Sequence, residues 1–302
     1  MMSDVNKTFQ TLEEVTKGTI VNNGTWLNTM ILRRLSWSAD MDHEEVPIVG
    51  KEDRHSDESL FLNGTLSIEG YFWDTRFMRY CTELAAGAGT IAKSNSGCFG
   101  YKLNGVNATR VFYGMVCDSC EITFGKIHTF SGQFKCMDIS SALTDAQVLT
   151  AFGGTYVPAP AITSRPLTHR NMKDTTEIPF SYGGVERAIS GATIRVTRNA
   201  YVKDPLGSIK GTDIKHANRR VEVTLDFWHE DDVIFDDTVG NVAKTLIFMV
   251  KATPTTDTKI TITNFIPNTK PQDLDAGSTD PIRDTVTGSA ASITVDSLVS
   301  AQ

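Results

Sequence analysis

The sequence predicts a mainly-β protein made of two copies of one β-sandwich or barrel domain, each with a short helix at its flank. Three observations carry that expectation. Short runs that alternate apolar with polar residues, rich in Val, Ile, Thr and aromatics, are set off by Gly, Asn, Asp and Pro, as strands and their turns are. The strand GTLSIEGYFWD, residues 64–74, closes in Phe72-Trp73 and an acid, and RRVEVTLDFWHED, residues 219–231, closes the same way 155 positions later, about half the chain. Each of these strands then leads into a segment with helical spacing.

In chain order the expected strands cover 30–38, 59–72, 110–117, 121–124, 132–139, 193–197, 219–228, 245–251, 259–266 and 291–298. Strand alternation assigns faces. Leu66, Ile68 and Phe72 form the apolar face of the first Phe-Trp strand, and Val221, Val223, Leu225 and Phe227 that of the second, so Phe72 and Phe227 are expected core aromatics. The opposite faces, Thr65, Ser67 and Glu69 in one copy and Glu222, Thr224 and Asp226 in the other, are polar throughout and must meet water. The first helix is placed by Asp74 as cap, by Phe77, Cys81 and Leu84 at i, i+4 and i+7, and by Gly87 as stop. The second starts near Asp231 or Asp232 and carries Val233, Ile234, Phe235 and Val239. Between the first two strands, residues 40–59 read as a polar loop longer than a hairpin needs. Long ordered loops tend to carry contacts, which nominates Asp40, His43, Glu44, Glu45, Lys51 and Asp53.

The repeat extends upstream of the aromatic pair: residues 49–57 and 210–218 align Gly50 with Gly211, Asp53 with Asp213 and His55 with His216. A second self-similarity, between 132–139 and 207–214, loses to it, because the Phe-Trp strand precedes one member and follows the other. Residues 152–184 hold four prolines and no clear period, and read as a linker. The expected division is a first β domain at 1–151, the linker at 152–184 and a second β domain at 185–302.

Composition narrows the function. A formal net charge of −7 argues against a protein that grips nucleic acid by neutralising phosphates. The polar N-terminus and the lack of any run of ~18 apolar residues point to a protein made in the cytoplasm with no membrane partner. The five cysteines, an odd set without the spacing of a small secreted domain, read as free thiols. Cys117 and Cys120 have the spacing of a metal or redox pair, but strand positions three apart face opposite sides of a sheet and do not chelate together without a turn. Acids and histidine at 42–45 and 229–232 read as solvated loops. No HExxH, GxSxG, Walker A or dinucleotide fingerprint selects a nucleophile or base, so neither an enzyme nor a cofactor is expected.

The segments LRRLSWSAD, VPIVGKEDRHSDES, LFLNGTLSIEGYFWDTRFMRYCTELAAG and YGMVCDSCEITFGKIHTFSGQFKCMDIS, with ISGATIRVTRNAYVKDPLGSIKGTDIKHANRRVEVTLDFWHEDDVIFDD in the second half, together resemble the tail tube (major tail) protein of long-tailed bacteriophages and archaeal tailed viruses. The likeness spans about residues 26–266, while the polar tail after Pro267 departs from it. The resemblance implies a structural virion protein whose rings stack into a hollow tail tube through which viral DNA passes without specific contacts. It implies partners as well: further copies of itself, a tape-measure protein, and tail terminator and tip proteins. Because the chain is duplicated, three copies per ring with pseudo-sixfold symmetry are expected rather than six. In that setting the 40–59 loop becomes the contact between rings, and Thr65, Ser67, Glu69, Glu222, Thr224 and Asp226 become the lumen wall. The rival from another class is a virion or surface β-sandwich adhesin that binds glycan.

Overall fold

The computed structural model describes residues 8–14, 16–18, 26–46, 56–72, 76–82, 94–103, 106–152, 180–203, 213–228, 231–253, 256–269 and 283–299. The first half runs β1 (Thr8–Glu14), β2 (Leu27–Val46), β3 (Ser56–Phe72), α1 (Arg76–Thr82), β4 (Ser94–Leu103), β5 (Val106–Phe124), β6 (Thr129–Cys136), β7 (Asp138–Ile139) and α2 (Asp145–Phe152). The second runs β8 (Phe180–Tyr182), β9 (Val185–Glu186), β10 (Ile189–Thr197), β11 (Ala200–Lys203), β12 (Asp213–His216), β13 (Arg220–Trp228), α3 (Val233–Val239), β14 (Lys244–Thr253), β15 (Thr256–Thr269), β16 (Arg283–Ala290) and β17 (Ser292–Val299). The protein is mainly β, and every described ladder is antiparallel.

In the first half the ladder order β1-β2-β3-β6-β5-β4 returns from β4 to β1, so the sheet curls until it closes on itself. The second half repeats each of those pairings. β10–β13 stands for β2–β3, β13–β16 for β3–β6, β15–β16 for β5–β6, β14–β15 for β4–β5, β8–β14 for β1–β4 and β8–β9 for β1–β2. Irregularities recur too. The shift between Leu32 and Arg34 returns between Ile189 and Gly191, that between Cys117 and Ser119 between Pro267 and Thr269, and that between Asn95 and Gly97 between Lys244 and Leu246. A bulge bends and twists a strand locally, so matching bulges give the two sheets matching curvature.

This register corrects the phase of the sequence repeat. Glu69 pairs with Ser131, and Asp226 with Thr285, at the same level of the two halves, which sets 157 positions between equivalents rather than 155. Phe227-Trp228 therefore occupies the place of Gly70-Tyr71, two residues short of Phe72-Trp73. A slip of two leaves every side chain on its original face, which is why the sequence pattern tolerated it. Phe227 is buried as expected; the Phe72 side chain, Trp73 and the Asp74 cap lie outside what is described, as do Gly50, Asp53 and His55 of the upstream alignment.

Other differences have local causes. β1, β4, β8 and α2 are too short or too weakly periodic to stand out in sequence, and β8 falls inside the stretch read as linker. Residues 110–117 and 121–124 are one strand, β5, interrupted by its bulge. Much of the supposed 40–59 loop is ladder: His43 pairs with Ser59, Glu44 with Glu58 and Glu45 with Asp57.

The halves share a sheet and a core. The last third of β5 pairs with β10, Ser119 with Thr197 through Phe124 with Ala192, and joins the two curled sheets into one. A single apolar cluster runs from Phe9, Leu66 and Phe77 through Ile122 and Ile194 to Leu246, Phe265 and Val295. At the seam the Phe124 ring stacks on Phe248 at 5.3 Å. Rings stacked this way add to the area they bury.

Candidate functional site

The sheet from β2 to β16, ordered β2-β3-β6-β5-β10-β13-β16, has a core face and a polar face. The alternation is strict along β13, where every second residue from Val221 is buried and the residues between are half-buried. Thr65, Ser67, Glu69, Glu222, Thr224 and Asp226 all lie on the polar face, half-buried, and the ladders extend it across both halves. One cross-strand row reads Arg34, Glu69, Ser131, Glu121, Arg195, Glu222, Ser289; another reads Thr129, Thr123, Thr193, Thr224, Thr287, with one member on each of β6, β5, β10, β13 and β16. The two chain halves thus contribute one continuous wall of short hydroxyl side chains with a charged band.

That band carries both signs of charge. Glu69, Glu121, Glu222 and Asp226 share the face with Arg34, Lys135, Arg195 and Arg220. Arg195 Nη2 lies 2.6 Å from Glu121 Oε2, and Arg220 Nη2 2.7 Å from Glu222 Oε1. Thr285 Oγ1 donates to Asp226 Oδ1 at 2.7 Å, and the Ser38 and Thr65 hydroxyls bond at 2.7 Å. Ion pairs this exposed stabilise little; their effect is to leave the face close to neutral.

Two hairpin arms rise from the ends of these strands. In the first half β2 and β3 remain paired beyond Ala39 and Gly64, where no other described strand joins them. Asp40, His43, Glu44 and Glu45 belong to this arm by backbone, with side chains outside the described set; Lys51 and Asp53 lie outside it altogether. In the second half the corresponding arm is broken off as a separate two-stranded sheet, β11 with β12, that docks back onto the first half.

The docking point is the β5 bulge. Asp118 is the residue the register skips, so its groups are free for other partners. Its carbonyl accepts from Arg198 N at 2.7 Å and its carboxylate from Ala200 N at 2.6 Å. Asn199, between them, holds a left-handed φ of 49° that turns the chain out of β10. Beneath the arm, Ala200 and Ile214 pack on Val116 and Met137, and Lys17 Nζ donates to Asp213 Oδ1 and to Ile214 O, both at 2.6 Å. Burial alone would raise the Asp213 carboxyl, but bonds and charge from Lys17 and Lys215 hold it down at about 2. Burial first, then the charges of Arg198 and Lys17, push His216 down to about 4.

The bulge also overturns the expectation that Cys117 and Cys120 face opposite sides. Both are buried, and Cys120 Sγ lies 3.7 Å from the carbonyl of Cys81. Burial pushes the Cys81 thiol well up, and all five cysteines are buried and outside any disulfide. Among the described residues no group of three or more His, Cys, Asp or Glu is placed to hold a metal ion. Among the same residues no helix is long and apolar enough to cross a membrane.

These features define the class: a mainly-β protein built of a curled antiparallel sheet, repeated in tandem within one chain. No family model and no curated protein matches the chain.

Proposed function

We propose that this chain is a structural, non-enzymatic protein whose copies assemble into rings that stack as a hollow tube of the tail-tube kind, with the polar sheet face toward the channel. One observation carries the reading. The strand order β2-β3-β6-β5-β10-β13-β16-β15 forms a strip made of two equivalent halves, polar on one face and covered by core on the other. Sheet edges are a liability until a neighbour pairs with them, and closing such strips edge to edge around an axis removes every edge while placing the polar face inside. Because each copy supplies two equivalent units, three copies complete a pseudo-sixfold ring.

A channel for viral DNA fits the chemistry of the wall. Hydroxyls and mutually paired charges offer phosphates neither a basic patch to bind nor a large field to oppose them. The first-half arm is the element for contact with the next ring, and the virion tail, with its tape-measure, terminator and tip proteins, is the setting. The test is negative-stain imaging of the purified protein across a concentration series: rings about three copies in mass and stacked tubes support the reading. Single copies at every concentration, with affinity for glycan, would replace it with the adhesin reading.

A further inference from the structure

We infer that the bare apolar face of α3 and the open edge of β2 are the two sides of one head-to-tail contact between copies of this chain, built like the seam between its own halves. The inference rests on the self-assembly reading and names the surfaces that perform it. Within the chain that seam has two components. β5 pairs with the edge of β10, and α1 of the first half packs against β17 of the second.

Each component has an equivalent that is left over. β2 stands for β10, β15 for β5, and α3 for α1. The stretch Asp138–Leu143 stands for β17: it follows β5 through Tyr113–Asp138, Phe112–Ile139 and Thr109–Leu143, as β17 follows β15 through Thr263–Ser292 and Ile262–Ile293. The leftover surfaces lie at opposite ends of the strip, β2 at one end and β15 at the other, so one copy cannot bring them together.

The side chains at these positions differ in the way a missing neighbour requires. In α1, Met78 and Thr82 are 0% exposed, whereas Phe235 and Val239, 157 positions on in α3, are 48% and 73% exposed. Those two residues sit at i and i+4, a single stripe of helix surface, and Val233 and Val242 flank it, also exposed. A large ring and a valine on bare helix in place of their covered counterparts mark an interaction surface. At the other end, Ala192, Ile194 and Val196 of β10 are buried beside β5, while their equivalents Leu35, Trp37 and Ala39 of β2 are half-buried, half-buried and exposed. Among the described residues no strand pairs with β2 on the side away from β3 beyond Ile31. The occupant of each surface is therefore a second copy: α3 of one copy seats on Asp138–Leu143 of the next, as α1 seats on β17, and so brings the β15 end of the first strip to the open β2 edge of the second. Such a contact joins unlike surfaces and closes into a ring when the rotation permits.

The test uses the full-length chain with Phe235→Glu and Val239→Glu together, and separately with Ala39→Glu, all at positions exposed in the single copy. Sedimentation velocity should show wild-type rings, with half-assembly of each variant moved to concentrations higher by about thirtyfold or more, the scale of a lost hot spot, and with circular dichroism unchanged. Mixing the two variants should yield a species of two copies and nothing larger, because each retains the surface the other lacks. If the α3 variant assembles as wild type does, or the mixture gives no two-copy species, the inference is overturned while self-assembly stands. If wild type itself stays a single copy, the proposed function falls and the inference with it.

Discussion

Beyond Ala39 and Gly64 the strands β2 and β3 continue as one ladder to Val46 and Ser56; at the equivalent level β10 ends at Thr197, and the chain turns through Arg198 and Asn199 before β11 begins. Both arms leave the main sheet at this level. They grow from equivalent strands, yet one is a plain extension of its hairpin and the other is folded onto the opposite half. The difference turns on a few polar groups. The second arm has Asp118 at the β5 bulge to receive two backbone N–H groups, Lys17 to bind Asp213, and an apolar floor of Val116 and Met137. The equivalent bulge in the second half lies between Pro267 and Thr269 and skips Asn268, in place of an acid. The arm with a charged, hydrogen-bonding receiver folds back; the other meets no acid at the equivalent bulge and stays an extension of its hairpin.

The largest effect should come from removing the first arm. Joining Asp40 to Asn63, a register pair, through a two-residue Asn-Gly turn in place of residues 41–62 should leave rings that do not stack. Electron microscopy reads the outcome, and tubes of ordinary length would show that this arm is not the ring-to-ring contact. Next, Phe227→Ala should cost roughly 3 to 5 kcal/mol in denaturant unfolding, since the ring fills a core position where the first half has Gly70; a loss below about 1 kcal/mol would mean the core around it does not depend on the ring.

A smaller effect is expected where the second arm leaves the sheet. Asn199→Ala should cost about 1 kcal/mol, because alanine keeps the Cβ that the left-handed conformation crowds but lacks the short polar side chain that lets asparagine adopt it, while Asn199→Gly, which removes the Cβ, should cost far less. Faster hydrogen exchange in β11 and β12 in the alanine variant alone is the signature; equal exchange in both variants would remove Asn199 from the argument. The smallest effect is a pH dependence of the same arm. The folded pKa of His216, about 4, is below its ordinary 6.5, so on acidification the undocked arm takes the proton first. Docking is therefore strongest above about 6.5 and weakens as pH falls toward about 4. Asp213, held at about 2, adds a further loss only below the ordinary carboxylate range. Exchange protection of β11 and β12 should follow this curve in wild type, and His216→Gln should flatten its upper part; an unchanged curve would assign the effect to other groups.

The sequence by itself determined the strands whose two faces differ in polarity. Val221, Val223, Leu225 and Phe227 went inward, and Glu222, Thr224 and Asp226 outward, because the two-residue period of a strand lets composition alone choose the face. It also located both Phe-Trp strands and α3, whose apolar residues recur in short range. Tertiary structure decided the rest. The repeat phase of 157 was out of reach because a two-residue slip preserves every face, and only the ladders to β6 and β16 separate the two registers. The neutral character of the polar face was hidden because Arg195 and Glu121 are 74 residues apart in sequence. The facing of Cys117 and Cys120, though not their place as thiols, was misread because a bulge is a property of paired strands, and it reverses the facing of everything beyond it. The bare face of α3 was legible as an apolar stripe but not as an exposed one: Met78 and Phe235 stand at equivalent helix positions, and only the placement of β17 beside α1 covers one and leaves the other open.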